Sequence, residues 1–347
     1  MRFLVCHPGP SFSVQDVYAG WVEALREQGQ QVFEFPLGDA LSFYAQVLLP
    51  AGEGQFKHAL DREQAMSLAV DRLYASILKV RPHILLLVSA FFVPPELMDI
   101  ARAGGVRVVV LHTESPYQDK QQLKVAEHAD LNLLNDPLNI DQFRAVAPSE
   151  YMPHAYRPGL HRPGPVDPDL ACDLAFVGTG YPSRIAFFER MNLNGLSVLL
   201  AGNWLALAED SPLRAHVDHE LDECLDNAET VRVYQSAAVG LNLYRREVED
   251  GSLSDAGWAM GPREVEMAAC GLFFMRDPRP EGDEVLDMLP TFAGPEDASE
   301  QLRWWLAHPE ERAALARKAR EAVADRTFKN HAVRLLRLLD RGSGQDR

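Results

Sequence analysis

The stretch GPREVEMAACG (Gly261–Gly271) sets one arginine and two glutamates just ahead of an apolar, small-residue turn that ends in glycine. A helix N-terminus offers free backbone N–H groups and the positive end of the helix dipole, so an anion such as a diphosphate is favoured there. Arg263 would add a bidentate phosphate donor. Glu266, one turn later, suits the two hydroxyls of a ribose, and its charge would select against a 2′-phosphate. Arg263 and Glu266 are three residues apart and share one helix face. Glu264 points elsewhere and reads as a favourable first-turn charge. The alternative for the whole stretch is a solvated helix start.

Other stretches carry chemistry of a similar kind. In FVGTGYPSR (Phe176–Arg184) a strand runs into a Gly-x-Gly loop, Gly178–Thr179–Gly180, and then into a helix with Pro182 near its first turn. Such a loop can cradle phosphate through its amides, with Arg184 as a charge partner, or it can be a tight strand-to-helix turn. LNLYR ends a strand and would turn Asn242 and Arg245 toward a ligand. Trp258, just before the arginine stretch, could stack on a base or belong to the core. LHTESPYQD (Leu111–Asp119) lies at the end of an apolar strand. There His112 and Glu114 could act as a base or a positioning pair, or be a satisfied histidine and a helix cap. HPGPSFSVQD (His7–Asp16) follows the first strand, so Gly9, Ser11 and Ser13 could contact a sugar or phosphate or form an ordinary turn. His154 and Arg157 open a proline-rich segment and serve either a ligand cleft or a hinge.

The elements that must position these groups alternate between strand and helix patterns. RFLVC, QVFEF, HILLLVS, VRVVVLH and LNLLN are continuous apolar runs rather than alternating ones. That pattern suits a parallel sheet covered on both faces by helices. Ser13 can cap a helix with Val14, Val17, Trp21, Val22 and Leu25 on one face, and a helix over 61–80 carries Met66, Val70, Leu73, Tyr74 and Ile77. MPHAYRPGLHRPGPVDPDL (Met152–Leu170) has five prolines and no periodicity, and reads as an extended linker. The alternation then restarts with DLAFVG, LSVLLAG, AVGLNLY and LFFMRD. The expected architecture is α/β, two Rossmann-like domains facing across a cleft. An N-terminal domain at 1–155 takes the acceptor side, a C-terminal domain at 171–325 binds the nucleotide, and a helix at 326–347 packs back on the N-terminal domain. Open α/β sheets bind ligands at the carboxyl ends of their strands.

Composition sets outer bounds. The 347 residues are 47% hydrophobic and 24% charged, enough for a sizeable core. A net charge of −16 argues against duplex nucleic acid and anionic lipid as partners. Cys6, Cys172, Cys224 and Cys270 form no C-x-x-C pair, which fits a reducing compartment and argues against structural zinc. The N-terminal apolar run is broken at once by proline and glycine, and no stretch approaches the ~20 apolar residues of a membrane span. A cytoplasmic protein is expected.

These pieces together resemble a known family. CDLAFVGTGYPSR, LLAGNW, VGLNLYR, GPREVEMAACGLFFMRD and WWLAHPEERAALARKARE are similar to the CgeB-like (spore maturation protein-like) glycosyltransferases of the GT-B fold. The R-x-x-E-x-x-A-x-G pattern of that family is matched by Arg263, Glu266, Ala269 and Gly271. VLHTESPYQD and MPHAYRPGLHRP resemble its N-terminal half, so the likeness runs from about Leu111 onward. The resemblance implies a hexosyltransferase-type enzyme with a nucleoside-diphosphate sugar as donor, a UDP-sugar foremost, and a hydroxyl acceptor, with no metal and no other cofactor. It implies that Glu266 binds the donor ribose. Related retaining enzymes carry a second acidic residue eight positions earlier, where this chain has Trp258, so inversion and retention both stay open. An epimerase or hydrolase of the same fold, or a non-catalytic nucleotide-binding protein, are the competing readings.

Overall fold

The computed structural model describes residues 1–10, 14–52 and 54–342. The chain divides into two compact units, Met1–Pro153 together with the C-terminal Phe328–Arg347, and His154–Thr327.

The first unit runs β1 (Arg2–Cys6), α1 (Gln15–Glu27), β2 (Gln31–Phe35), α2 (Leu37–Ala45), β3 (Leu48–Gly52), β4 (Gln55–His58), α3 (Arg62–Val80), β5 (Ile84–Val88), α4 (Pro95–Ala103), β6 (Arg107–His112), α5 (Asp119–Ala126), β7 (Leu131–Leu134), α6 (Ile140–Arg144) and β8 (Ser149–Tyr151). Its six-stranded sheet has the order β2-β1-β5-β6-β7-β8, with every pairing parallel. Every residue of β5 is buried, as a strand covered on both faces requires. The order reverses between β1 and β5, so the loops after those two strands diverge and leave a crevice at the carboxyl edge.

Two local features differ from the sequence expectation. Helix α3 buries Ala65, Ala69, Leu73 and Ile77, an i, i+4 stripe, while Tyr74 stays exposed, so the helix is rotated from the expected face. Its start is fixed by Asp61, whose side chain accepts from the Gln64 amide while the Gln64 side chain accepts from the Asp61 amide. The antiparallel ribbon of β3 and β4 is exposed along both strands, and with no buried face it left no alternation to find.

The second unit runs β9 (Cys172–Val177), α7 (Pro182–Arg190), β10 (Val198–Ala201), α8 (Asn227–Ser236), β11 (Ala237–Asn242), α9 (Pro262–Cys270), β12 (Phe274–Arg276), α10 (Pro280–Val285), α11 (Pro295–Leu306) and α12 (Pro309–Ala322). Its four-stranded parallel sheet has the order β10-β9-β11-β12, reversing between β9 and β11. Phe176, Phe188 and Trp204 meet edge to face in its core. The proline-rich segment is extended but not free. The Asp167 amide donates to Ser236 Oγ, the Gln235 side chain donates to the Arg162 carbonyl, and Asp167 pairs with Arg232, so it lies along α8.

The last helix, α13 (Phe328–Gly342), belongs to the first unit and packs on α1. Phe328 sits edge to face with Trp21, 6.3 Å between centroids, and closes over Gly20. A Cβ on Gly20 would stand 2.3 Å from the Phe328 ring. Alanine is the better helix former by about 1 kcal/mol, but overpacking a core typically costs 1–3 kcal/mol. Gly20→Ala is therefore expected to lower the thermal midpoint of the full chain. In a Phe328→Ala background the same change should become neutral or stabilising, and a double-mutant cycle read by differential scanning calorimetry checks both.

Candidate active site

The carboxyl edge of the second unit collects most of the residues singled out for donor binding. Gly178, Thr179 and Gly180 follow β9, Asn242 ends β11 with Arg245 just beyond, and α9 begins after the long loop from β11. Arg184 joins the two strand ends. Its Nη1 donates to the Thr179 carbonyl at 2.9 Å and its Nη2 to the Leu243 carbonyl at 2.6 Å. The guanidinium groups of Arg184 and Arg245 both lie over the Tyr181 ring, 5.3 and 5.5 Å from its centroid. The switch between β9 and β11 is thus lined by two arginines held in place by an aromatic ring.

The Gly-x-Gly loop is built differently from an open phosphate cradle. The Gly178 amide donates to the Ala201 carbonyl and the Gly180 amide to the Asn203 carbonyl, both at 2.8 Å. These bonds tie the loop to the end of β10. A Cβ on Gly180 would stand 2.4 Å from Trp204, so glycine is required there by packing. Cationic character at this edge therefore comes from side chains. Asn242 is buried, and its Nδ2 has no hydrogen-bond partner among the described residues. An unsatisfied amide donor costs about 1–3 kcal/mol when buried.

Helix α9 sorts its three charges by burial. Arg263 donates from Nη1 to Glu266 Oε2 at 2.7 Å, an i, i+3 pair with the Arg263 side chain 26% exposed and Glu266 6%. Arg263 Nη1 also lies 3.4 Å from Asn227 Oδ1 on α8. Glu264 stands in the first turn as expected, but it is fully buried and does more than favour the helix dipole. Its Oε2 accepts from the Gly261 amide at 2.7 Å and from the Tyr244 hydroxyl. Arg279 stacks over the Tyr244 ring at 4.2 Å, and Arg276, 2% exposed, lies close by with its Nη2 on Asp283. Burial pushes the Glu264 carboxyl up to about 7, against the opposing effects of Tyr244, Gly261 and Arg276. The half-buried Trp258 gives its carbonyl to the Glu281 amide, whose carboxylate pairs with Arg326 and accepts from the Met260 amide.

In the first unit, the pair expected at the end of β6 separates. His112 is 1% exposed, with Nε2 donating to Asn132 Oδ1 at 2.8 Å and its ring against Phe143. Burial lowers its pKa to about 4, so it is neutral in the fold. Glu114 is half-buried, and its backbone is fixed by Gln122, whose amide also bonds Ser115 and Asp119. Gly9 has φ +97° and lies under Phe92, where a Cβ would come within 2.7 Å of the ring. His154 opens the second unit and is half-buried. Ser11 and Ser13 lie outside the described residues, and α1 begins after Val14 at its N-cap position.

The sequence signal missed Tyr181, Asn227, Tyr244 and Arg276. A tyrosine beside arginine, as in YPSR and NLYR, was the available cue. The Glu264 environment has a measurable consequence. An acid whose folded pKa lies above its unfolded value stabilises the fold at low pH and loses that contribution as pH rises through the folded pKa. The thermal midpoint of the wild-type chain should therefore fall relative to that of Glu264→Gln as pH is raised from about 5 to 8. Parallel melts would contradict the assignment.

Residues 184–337 match the family model described as glycosyl transferase-like. No curated protein matches the chain. Among solved structures, the chain is similar to a sucrose-phosphate synthase from Thermosynechococcus elongatus, with 12% identity, TM-score 0.66 and coverage of 99% of this chain and 100% of that one. It is also similar to Anabaena HepE in complex with UDP-glucose, with 10% identity, TM-score 0.62 and coverage of 97% and 99%. An alpha-glucosyltransferase in complex with UDP and a 13-mer DNA containing an HMU base aligns with 12% identity, TM-score 0.65 and coverage of 97% and 98%. The four α13 residues Phe328, His331, Ala332 and Leu335, buried in the first unit, fall inside the matched segment. The chain thus has the α/β GT-B fold of two Rossmann-like domains, and its residues 184–337 carry the glycosyl transferase-like match.

Proposed function

We propose that this chain is a CgeB-like glycosyltransferase that moves a hexose from a UDP-sugar to a hydroxyl acceptor without a metal ion, in a reducing, cytoplasmic compartment. The observation that carries the reading is the Arg263–Glu266 pair at the start of α9, beside the arginine-lined switch of β9 and β11. In this reading Glu266 leaves Arg263 to accept both ribose hydroxyls. Arg263 turns to the diphosphate, together with the α9 N-terminus and Arg245. Asn242 offers its unpartnered Nδ2 to a donor oxygen, and Trp258 stacks on the base. UDP appears in the structural relatives HepE and the alpha-glucosyltransferase, and supports that choice of nucleotide.

In the reaction, the bond from the anomeric carbon to the diphosphate oxygen breaks and a bond to the acceptor oxygen forms. Negative charge grows on the leaving diphosphate, and preorganised cationic and N–H donors lower the barrier most where charge develops. Arg184, Arg245 and Arg263 are the proposed donors. The acceptor proton goes to Glu114 if configuration inverts, or to an oxygen of the leaving phosphate if it is retained. The N-terminal unit supplies acceptor binding through Gly9, and His154, at the start of the second unit, is a further proposed contact. His112 serves the edge by holding the end of β6 to β7 through Asn132.

Calorimetric titration with UDP and 2′-deoxy-UDP separates the ribose assignment from a packing role. Glu266→Ala should weaken UDP roughly ten- to hundredfold, the cost of a lost charged hydrogen bond. It should also abolish the wild-type preference for UDP over the 2′-deoxy nucleotide, and unchanged UDP affinity would sink the assignment. Release of UDP from UDP-glucose, dependent on added acceptor, should proceed unchanged in excess EDTA. Loss of turnover that added magnesium restores would overturn the metal-free mechanism.

A further inference from the structure

The first unit has its own switch point, between β1 and β5, and a pocket of about 670 Å3 opens there. Its walls come from Pro10 after β1, Phe92 after β5, Leu41 and Ala45 on α2, and Ala65 and Met66 on α3. Pockets of ~300–1,000 Å3 enclose a single small molecule, and those with mainly apolar walls select by shape and desolvation. The polar groups at the rim are Ser42, His58, Asp61 and Arg62, and two of them are committed. The Asp61 carboxylate accepts from the Gln64 amide at 2.8 Å, and His58 Nδ1 bonds the Ala45 carbonyl at 2.9 Å. Ser42 and Arg62 complete the polar lining. A polyol placed here would find Ser42 and Arg62 at the rim but mostly carbon along the walls, so most of its hydroxyls would lose water without gaining partners, which costs affinity. The same elements also show apolar surface outward: Phe43 on α2 is 61% exposed and Phe56 on β4 65%.

We propose that this pocket binds the acceptor, and that the acceptor is an apolar hydroxyl compound, a phenol or alicyclic alcohol of single-pocket size, rather than a sugar, glycan or nucleobase. This rests on the function proposed above and names its acceptor class. The apolar body lies between α2 and α3 against Phe92, with its hydroxyl at the open carboxyl edge where β1 and β5 end.

The test is calorimetric titration of the full chain with 1-naphthol, in the absence of nucleotide, with methyl glucoside as the polar comparison. Wild type should bind 1-naphthol saturably at one site and methyl glucoside not at all. Ala45→Trp, at an exposed position on the pocket wall, should weaken 1-naphthol about tenfold or more by filling the space. Ser42→Trp, from the same helix, should do the same, and circular dichroism melts identify any variant that fails to fold. UDP affinity should be unchanged in both variants. Absence of saturable 1-naphthol binding, equal binding by both folded variants, or preferential binding of methyl glucoside would overturn the proposal. Because 1-naphthol is measured without nucleotide, its failure leaves the donor site standing, whereas failure of UDP binding falls on the transferase reading alone.

Discussion

The buried carboxylate of Glu264 fixes the orientation of the helix on which the candidate donor site depends. It ties the start of α9 to the end of β11 by accepting from the Gly261 amide and the Tyr244 hydroxyl. Successive residues in a helix are turned by about 100°. Once position 264 points inward, positions 263 and 266 share the face that remains. Arg263 and Glu266 meet there with the arginine partly exposed. A carboxylate without partners would be costly in this place. The cost is partly offset by the tyrosine hydroxyl, the backbone amide and the nearby Arg276. The long loop from β11 to α9 is thereby anchored at both ends.

Arginine is the recurrent device at this edge, and its geometry explains why. The guanidinium group stays charged and presents several donors in a rigid fork. Arg184 uses that fork to hold the loop after β9 against the segment after β11, and Arg245 is set against Tyr181. The positive field is therefore carried on a rigid frame that does not depend on the glycine amides, which the β10 connection already uses. A diphosphate approaching this edge would meet Arg184 and Arg245 already held, with only Arg263 to be turned from Glu266, and preorganised charge is the condition under which electrostatic stabilisation of a leaving group is strongest.

Much of this frame was legible in the sequence because parallel strands buried on both faces are written as unbroken apolar runs. ILLLV, RVVVLH and CDLAFV could be placed on that ground, and the glycine at 271, with φ +79°, marks the end of α9. The ribbon of β3 and β4 was invisible because its residues are exposed along both strands. The rotation of α3 was misread because its inward stripe is partly alanine, which carries little hydrophobic signal beside Met66 and Tyr74. Glu264 was misjudged for a different reason. A glutamate in the first turn of a helix looks the same in sequence whether it faces water or a tyrosine twenty residues away. The Gly-x-Gly loop likewise could not reveal that its amides bond to the last residue of β10 and to Asn203 just after it. Non-local partners decide the role of each of these groups, and single-sequence spacing does not encode them.

Where a nucleoside diphosphate sits on α9 decides the donor assignment. A crystal structure of the chain soaked with UDP measures this directly. The expected result is Glu266 opened from Arg263 and accepting both ribose hydroxyls, with Arg263 and Arg245 on the diphosphate. UDP bound elsewhere, or bound with the Arg263–Glu266 pair still closed at its 2.7 Å separation, would contradict it.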